Sequence, residues 1–473
     1  MYTSHIAGWW IYISTLCLVI AVTVVYYFCV STFKKWEKLI YILYIKPIPF
    51  FGNILNQALG KSHALEFYNK FYYEFTGHRY GGLFQMRTPY LMIRDPELIN
   101  DVLIKDFLSF FDRAAYSDFV VNPLSNNLLF MNNSQWRVMR NKLSSAFTPR
   151  KLKLISKRKQ QRNINKRFYW KYSTDIIGTC IFGLKLNYMC DDDSKFRKYG
   201  KFMFTPSLKT LFRQLCLMIN PTILNVVRLK YFPTKVTDFF HMALKETITC
   251  REENKIIRND FVQVFWNLDT NLPDHVKIKA NDFGMFTAGF ETVAAIISYC
   301  LYELALNKCI QDRVRQEFEL KLSQNDGKIN NASSLLDMKH CVCILQLLLY
   351  SEKLHKHQVP NDSLIIENGQ KIIIPIYALH YDNKYYPDPK KFIPERFSAE
   401  ENAKRSTGVY LPFGDGPQMK HFAEIEMKLA IVEMLTKFEI FTCEKTGIPL
   451  KYSNNIFILV PKHGIWLKFK KNN

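Results

Sequence analysis

Apolar and polar residues fall into distinct patterns along the chain. From Met1 to Phe33 there is no Lys, Arg, Asp or Glu. Ile6 to Phe33 forms one apolar run of about 28 residues, ~42 Å as a helix, which is long enough to cross a bilayer with some tilt. Trp9, Trp10, Tyr12, Tyr26 and Tyr27 stand toward its ends, as interfacial aromatics do, and Lys34, Lys35 and Lys38 follow at once. The positive flank puts the remainder of the chain on the cytoplasmic side. A cleaved signal peptide would carry a basic start and a small-residue cleavage site, and neither is present. Residues 1–35 are therefore read as a retained membrane anchor.

Residues 36–60 include Lys46-Pro47-Ile48-Pro49-Phe50-Phe51-Gly52, where two prolines block helix and a glycine permits a turn, so this stretch reads as a stiff hinge. No Ser/Gly linker or repeat divides residues 61–473, which are expected to form one domain. Leu83 to Arg87 and Tyr90 to Arg94 alternate as short strands around Thr88-Pro89. Asp95-Pro96-Glu97 then supplies an N-cap, a first-turn proline and an early acid for a helix. Ile456 to Val460 and Ile465 to Phe469 flank Pro461-Lys462-His463-Gly464 as a predicted hairpin. Helical period dominates elsewhere, so the expected fold is mainly α with small peripheral β-sheets.

The composition narrows the class further. Of 473 residues, 48% are hydrophobic and 15% aromatic, which excludes disorder and low complexity. The net charge of +22 favours an anionic partner such as nucleic acid, an anionic membrane surface or an acidic protein. Its densest part is a stretch without acids, Phe119 to Thr174, where Arg150, Lys151, Lys153, Lys157, Arg158, Lys159, Arg162, Lys166 and Arg167 crowd together. No nucleic-acid-binding module accompanies it and an anchor lies upstream, so it reads as a solvated segment and no nucleic-acid partner is expected. The 11 cysteines form no CxxC pair and no zinc spacing, as suits a reducing compartment.

Phe283 to Leu306 is apolar on all sides except at Thr287, Glu291, Thr292, Ser298 and Glu303, which marks a helix through the centre of the globule. A carboxylate midway along such a helix costs several kcal/mol unless it is paired or hydrated. Ala288-Gly289 just before it leave room for a ligand to approach the backbone and for the helix to bend. Two readings stand at this point: Glu291 and Thr292 deliver protons to a reacting oxygen, or Glu291 bonds a neighbouring element.

Ala288-Gly289-Phe290-Glu291-Thr292 resembles the oxygen-activating helix of the cytochrome P450 superfamily, and the resemblance extends over nearly the whole chain. Pro47 to Gly52 is similar to the proline-rich hinge of microsomal members, and Trp136-Arg137-Val138-Met139-Arg140 to the family's Trp-x-x-x-Arg. Tyr386-Pro387-Asp388-Pro389 with Pro394-Glu395-Arg396-Phe397 matches the meander before the haem loop. Arg79-Tyr80-Gly81-Gly82 and Tyr377-Ala378-Leu379-His380 resemble insect microsomal members of the sixth family, a xenobiotic-metabolising group. The resemblance implies haem b as cofactor, NADPH-cytochrome P450 reductase as electron donor, small lipophilic substrates oxidised with O₂, and an endoplasmic reticulum membrane location. It also implies that Trp136 and Arg140 bond haem propionates, that Phe413 and Gly416 shape the haem loop, that Glu291 and Thr292 deliver protons, and that Glu352 and Arg396 brace the loop. Trp136 and Arg140, four apart, share one helical face.

The chain departs from the family at separate junctions. The haem loop of the family reads Phe-x-x-Gly-x-Arg-x-Cys-x-Gly, and its thiolate pushes electron density onto iron. Here Phe413-Gly414-Asp415-Gly416-Pro417 begins correctly, then Gln418 stands for Arg and, read without a gap, Lys420 for Cys. The match resumes at Phe422-Ala423-Glu424-Ile425-Glu426-Met427-Lys428, leaving the loop three residues short across 418–421. Met419 or His421 as ligand would give electron-transfer or globin-like chemistry, Lys420 is normally protonated, and Cys443 reads as a core residue. Cys341 to Lys356 resembles the helix bearing Glu-x-x-Arg, with Glu352 in place but His355 at the arginine position, and 356–360 joins directly to a later strand. The family pattern is also interrupted near 155–167. Such losses are what exon-boundary errors or decay of a duplicated gene would leave. The expectation is a monooxygenase lineage whose present chain, without the Cys ligand, is inactive in monooxygenation; the alternative is a membrane-anchored non-catalytic pseudoenzyme.

Overall fold

A computed structural model describes residues 2–39, 41–110, 112, 123–125, 127–131, 133–144, 195–204, 207–220, 222–226, 229–230, 232–257, 262–263, 276–323, 349–352, 357–359, 362, 364–415, 420–453 and 461–472. The basic stretch 155–167, residues 356 and 360, residues 418–419, His355, Gly416 and the strand predicted at Ile456 to Val460 lie outside them. Among the described residues the fold is mainly helical, with one four-stranded and two two-stranded sheets, as the hydrophobic pattern implies.

The strands in chain order are β1 (Tyr80–Gln85), β2 (Thr88–Ile93), β3 (Leu349–Glu352), β4 (His357–Gln358), β5 (Ile365–Ile366), β6 (Lys371–Ile374), β7 (Phe438–Thr442) and β8 (Leu467–Lys471). The large sheet runs β1-β2-β6-β3, with β2 and β6 parallel and the other pairs antiparallel. Ile372, Ile373 and Ile374 are all 0% exposed, so β6 is buried on both faces, which explains an unbroken apolar run where a half-buried strand would alternate. The β1–β2 turn falls at Met86-Arg87 and not at Thr88-Pro89 as predicted. Met86 takes a left-handed φ of 52°, and Pro89, without an N–H, sits opposite Phe84, ahead of the first rung to β6 at Tyr90. Gly82 lies in β1 because Trp36 covers it: a Cβ there would meet the indole ring at 2.8 Å.

One further expectation is corrected. Glu352 was expected on a helix, but Leu349–Glu352 is a strand, with Tyr350 opposite Ile373 and Glu352 opposite Lys371. Pairing with β6 occupies the edge that β6 would otherwise leave open, and the apolar run through Leu347-Leu348-Leu349 suits a pleated pairing as well as a helix. At the C-terminus, Leu467–Lys471 pairs with Phe438–Thr442, with Ile440 opposite Phe469, while the predicted partner strand Ile456 to Val460 lies outside the described residues.

The helical core is built around Val276–Leu306, which extends upstream of the predicted Phe283 start. The helix packs against Thr234–Glu253, Lys308–Ser323 and Lys420–Lys437. Phe240 of the first of these stands 5.3 Å from Phe283 and 4.6 Å from Phe286, ring to ring. Beyond the end of the central helix, Asn307 Nδ2 donates to the Glu303 carbonyl at 2.8 Å, and the next helix leaves at 114°. Gln311 closes that corner: its amide donates to the carbonyls of Leu304 (3.0 Å) and Ile440 (2.9 Å) and accepts from Ile440 N–H (2.9 Å). A buried amide with these partners ties the helices to β7.

The N-terminal helix spans Tyr2–Val30. Its segment Tyr12–Val30, 19 residues of mean hydropathy 2.4, holds no buried residue and is long and apolar enough to cross a membrane. The stretch after it is woven into the sheet: Trp36, Ile42 and Ile54 belong to the sheet's core, and Tyr44 bridges to Gly82 and Gly52 to Gln85.

Candidate functional site

The central helix is buried on nearly every face after Thr292: Val293, Ala294, Ile296, Ile297, Cys300 and Leu301 are closed off from solvent. One turn earlier it opens. Ala288 is exposed, and Gly289 and Thr292 are half-buried, so positions i, i+1 and i+4 leave one bare face in the middle of a core helix. Thr292 Oγ1 donates to the Ala288 carbonyl, a back-bond to position i−4 that bends helices. With its proton so used, the hydroxyl retains lone pairs toward the open face. The backbone of Glu291 is on this helix; its side chain lies outside the described residues.

Trp136 and Arg140 project from the helix Asn133–Ser144 and are 8% and 9% exposed, whereas Gln135, Arg137, Val138 and Asn141 on the other faces are solvent-exposed. Burial lowers the Arg140 guanidinium below its ordinary value, though arginine remains charged. Phe107 packs 5.8 Å from the Trp136 ring. An indole N–H and a guanidinium on one buried face are donors only, a chemistry that suits a carboxylate.

The loop before the last helix is held from the meander side. His380 is buried, its Nε2 accepts from the Leu411 N–H at 3.1 Å, and the ring also hydrogen-bonds the backbone of Val409. Burial pushes its pKa down to about 4, so the imidazole is neutral at pH 7. Val409 and Leu411 are buried beside it, and Phe413 follows, half-buried against the helical core. Gly414 takes φ 75°, a left-handed turn, and the helix Lys420–Lys437 follows in the chain. Arg396 donates to the carbonyls of Asp388 (3.1 Å), Lys391 (3.2 Å) and Ile393 (3.3 Å), fastening the meander upon itself. Arg405 donates to the Arg396 carbonyl and stacks 4.6 Å from the Tyr386 ring.

Four distant segments thus contribute to one apolar cluster. Met139, from the helix of Trp136 and Arg140, Val293, next to Thr292, and Phe413 all pack on the helical core, as does Phe392 of the meander. Glu352 belongs to the sheet by its backbone and its side chain lies outside the described residues, as does Gly416. His380 and Arg405 were missed in the sequence. A lone histidine in an apolar stretch carries no catalytic signature, although Tyr377-Ala378-Leu379-His380 stood among the matching motifs.

The residues present fit the implied haem in part. Ala288, Gly289 and Thr292 leave one helix face open, and Trp136 with Arg140 offers donors of the kind a propionate carboxylate takes. Between Cys343 and Cys443 the sequence contains no cysteine, and residues 416–419 of the loop lie outside the described residues. Cys443 stands beyond the helix Lys420–Lys437, where its N–H donates to Thr446 Oγ1 at 2.8 Å.

Comparison with known proteins gives the same outline. The family model for cytochrome P450 matches residues 44–469. The chain is 34% identical to "Probable cytochrome P450 6a13" of Drosophila melanogaster, over 90% of this chain and 92% of that protein. It is 30% identical to "Cytochrome P450 6a2" of the same species over 90% and 93% of the two chains, and 31% identical to "Cytochrome P450 6k1" of Blattella germanica over 90% and 91%.

Proposed function

The chain belongs to the cytochrome P450 family, and from that premise we propose that it is a monooxygenase-lineage protein that does not carry out thiolate-type oxygenation. When bound in this family, haem supplies the redox chemistry that activates O₂, with the cysteine thiolate favouring O–O cleavage. The single observation carrying the proposal is the loop itself, Phe413-Gly414-Asp415-Gly416-Pro417-Gln418-Met419-Lys420, which runs from the family's glycine turn into the last helix without a cysteine. Trp136 and Arg140 retain the means to hold propionates, and Thr292 with Glu291 the means to position a proton beside the open helix face. Glu352 and Arg396 are remnants of a brace that lacks its third member.

The N-terminal helix is an anchor in the endoplasmic reticulum membrane, with the globular fold on the cytosolic side. NADPH-cytochrome P450 reductase and small lipophilic compounds are the partners that the lineage would engage. A spectrum of the reduced, CO-treated chain tests the central statement. The expected result is no thiolate-type Soret band, and such a band in protein of this sequence would sink the proposal. The transcript across Gln418 to Phe422 separates two causes: recovered cysteine codons would mean a complete enzyme read incompletely, and their absence a retained pseudoenzyme.

A further inference from the structure

The last turn of the N-terminal helix is gripped by the globular fold. Arg87, on the β1–β2 turn, lays its guanidinium over the Phe28 ring at 3.7 Å and donates from Nη2 to Ser31 Oγ at 3.3 Å. Thr32 Oγ1 donates to the Arg87 carbonyl, so the residue is engaged at its side chain and its backbone. Tyr26 meets Phe50 edge-on at 6.1 Å between ring centroids. Just past the helix, Phe33 packs 5.0 Å from Phe84, and Trp36 Nε1 donates to the Leu83 carbonyl at 3.3 Å. These contacts follow one another from Tyr26 to Trp36 and all end on the β1–β2 hairpin or the strip beside it. A swivel at Ser31–Phe33 would have to break several at once.

The strip so placed has the composition of a membrane interface. Tyr41, Leu43, Ile48 and Phe50 are 47%, 42%, 47% and 40% exposed, although they adjoin the sheet core. Lys34, Lys38 and Lys46 are exposed among them. Large apolar side chains interleaved with lysines, continuous with a helix whose 19-residue apolar segment holds no buried residue, match the boundary between acyl chains and anionic headgroups.

We propose that Arg87 is a clamp that holds the globular fold to its anchor at one angle, and that residues 41–50 are thereby set into the headgroup layer of an anionic leaflet. This rests on the reading of the N-terminal helix as an anchor. The test uses the full chain in lipid nanodiscs containing phosphatidylserine, with 4-fluorophenylalanine placed at Phe50 in one sample and at Leu18 in another. Fluorine relaxation is read with a lipid-confined nitroxide and with a water-soluble gadolinium chelate. Both positions should relax faster with the nitroxide than with the chelate. In Arg87→Ala, Leu18 should stay in lipid while the lipid contact of Phe50 falls several-fold. Phe28→Leu, which removes the aromatic face from the anchor without touching the globular fold, should reproduce that fall. Replacing phosphatidylserine by phosphatidylcholine should weaken the Phe50 signal. A wet Phe50 with Leu18 in lipid would overturn the inference, leave the anchor standing, and assign the strip to a soluble partner. Unchanged lipid contact in both variants would overturn the clamp, and indifference to lipid charge the headgroup assignment. A wet Leu18 would remove the anchor itself.

Discussion

Protonating His380 should loosen the approach to the glycine turn, and the size and sign of the effect follow from its burial. In the folded chain the imidazole accepts from Leu411 N–H and its pKa is pushed down to about 4 from an ordinary value of 6.5. The neutral form is thus favoured by folding. Its contribution is fully present above pH 6.5 and is lost as the pH falls toward about 4. At 1.36 kcal/mol per pKa unit, the whole contribution is about 3 kcal/mol. His380→Gln provides the comparison, because an amide oxygen can accept the same N–H and takes up no proton. Urea unfolding of both proteins in detergent, from about pH 7.5 down to about pH 4.5, gives the difference in stability at each pH and cancels the carboxylates common to both. The wild-type chain should lose about 2–3 kcal/mol relative to His380→Gln across that range. A difference that stays flat with pH would refute the reasoning, since it would mean that His380 titrates alike in the folded and unfolded chains.

Gly408 precedes the same segment with φ 85°, and a Cβ there would stand 2.3 Å from the Pro96 carbonyl oxygen. Gly408→Ala should therefore cost at least about 2 kcal/mol, read as a lowered urea midpoint, and an unchanged midpoint would show that the turn yields freely. Gln311→Leu leaves the Ile440 N–H without its acceptor in a closed corner and should cost about 1–3 kcal/mol, checked by thermal unfolding. Thr292→Val removes only a back-bond within its own helix, so stability should change by less than about 0.5 kcal/mol; a larger loss by the same assay would place the hydroxyl in a wider network.

Much of this fold is legible because its signals are local. Asp95 accepts from Leu98 N–H at 2.9 Å with Pro96 in the first turn, as the capping pattern foretold. Trp136 and Arg140 share a face because helical period requires it, and the fold then buries that face. Where the signal was not local, reading it in sequence went astray. The β1–β2 turn was placed at the proline, but Met86 accepts the left-handed φ and Pro89 fits inside a strand. Leu349–Glu352 has no periodicity to separate strand from helix, and pairing to β6 decides it. β8 pairs with Phe438–Thr442, which lies far from it in sequence and which no local pattern pointed to. His380 was overlooked for the same reason: its meaning comes from Leu411, which no spacing rule connects to it.

The residues alone determined the apolar N-terminal helix, the mainly helical class, the small-residue gap before Glu291 and Thr292, and the lack of any cysteine from Gln418 to Lys428. Each is a matter of composition or of period within a few turns, and neither changes when the chain folds. Only the tertiary structure decided that Met139, Val293 and Phe413 meet on one core, that Arg87 grips Phe28, and that His380 is neutral behind the loop. Those facts depend on contacts between residues far apart in the chain and on the loss of water around them, which no local pattern encodes.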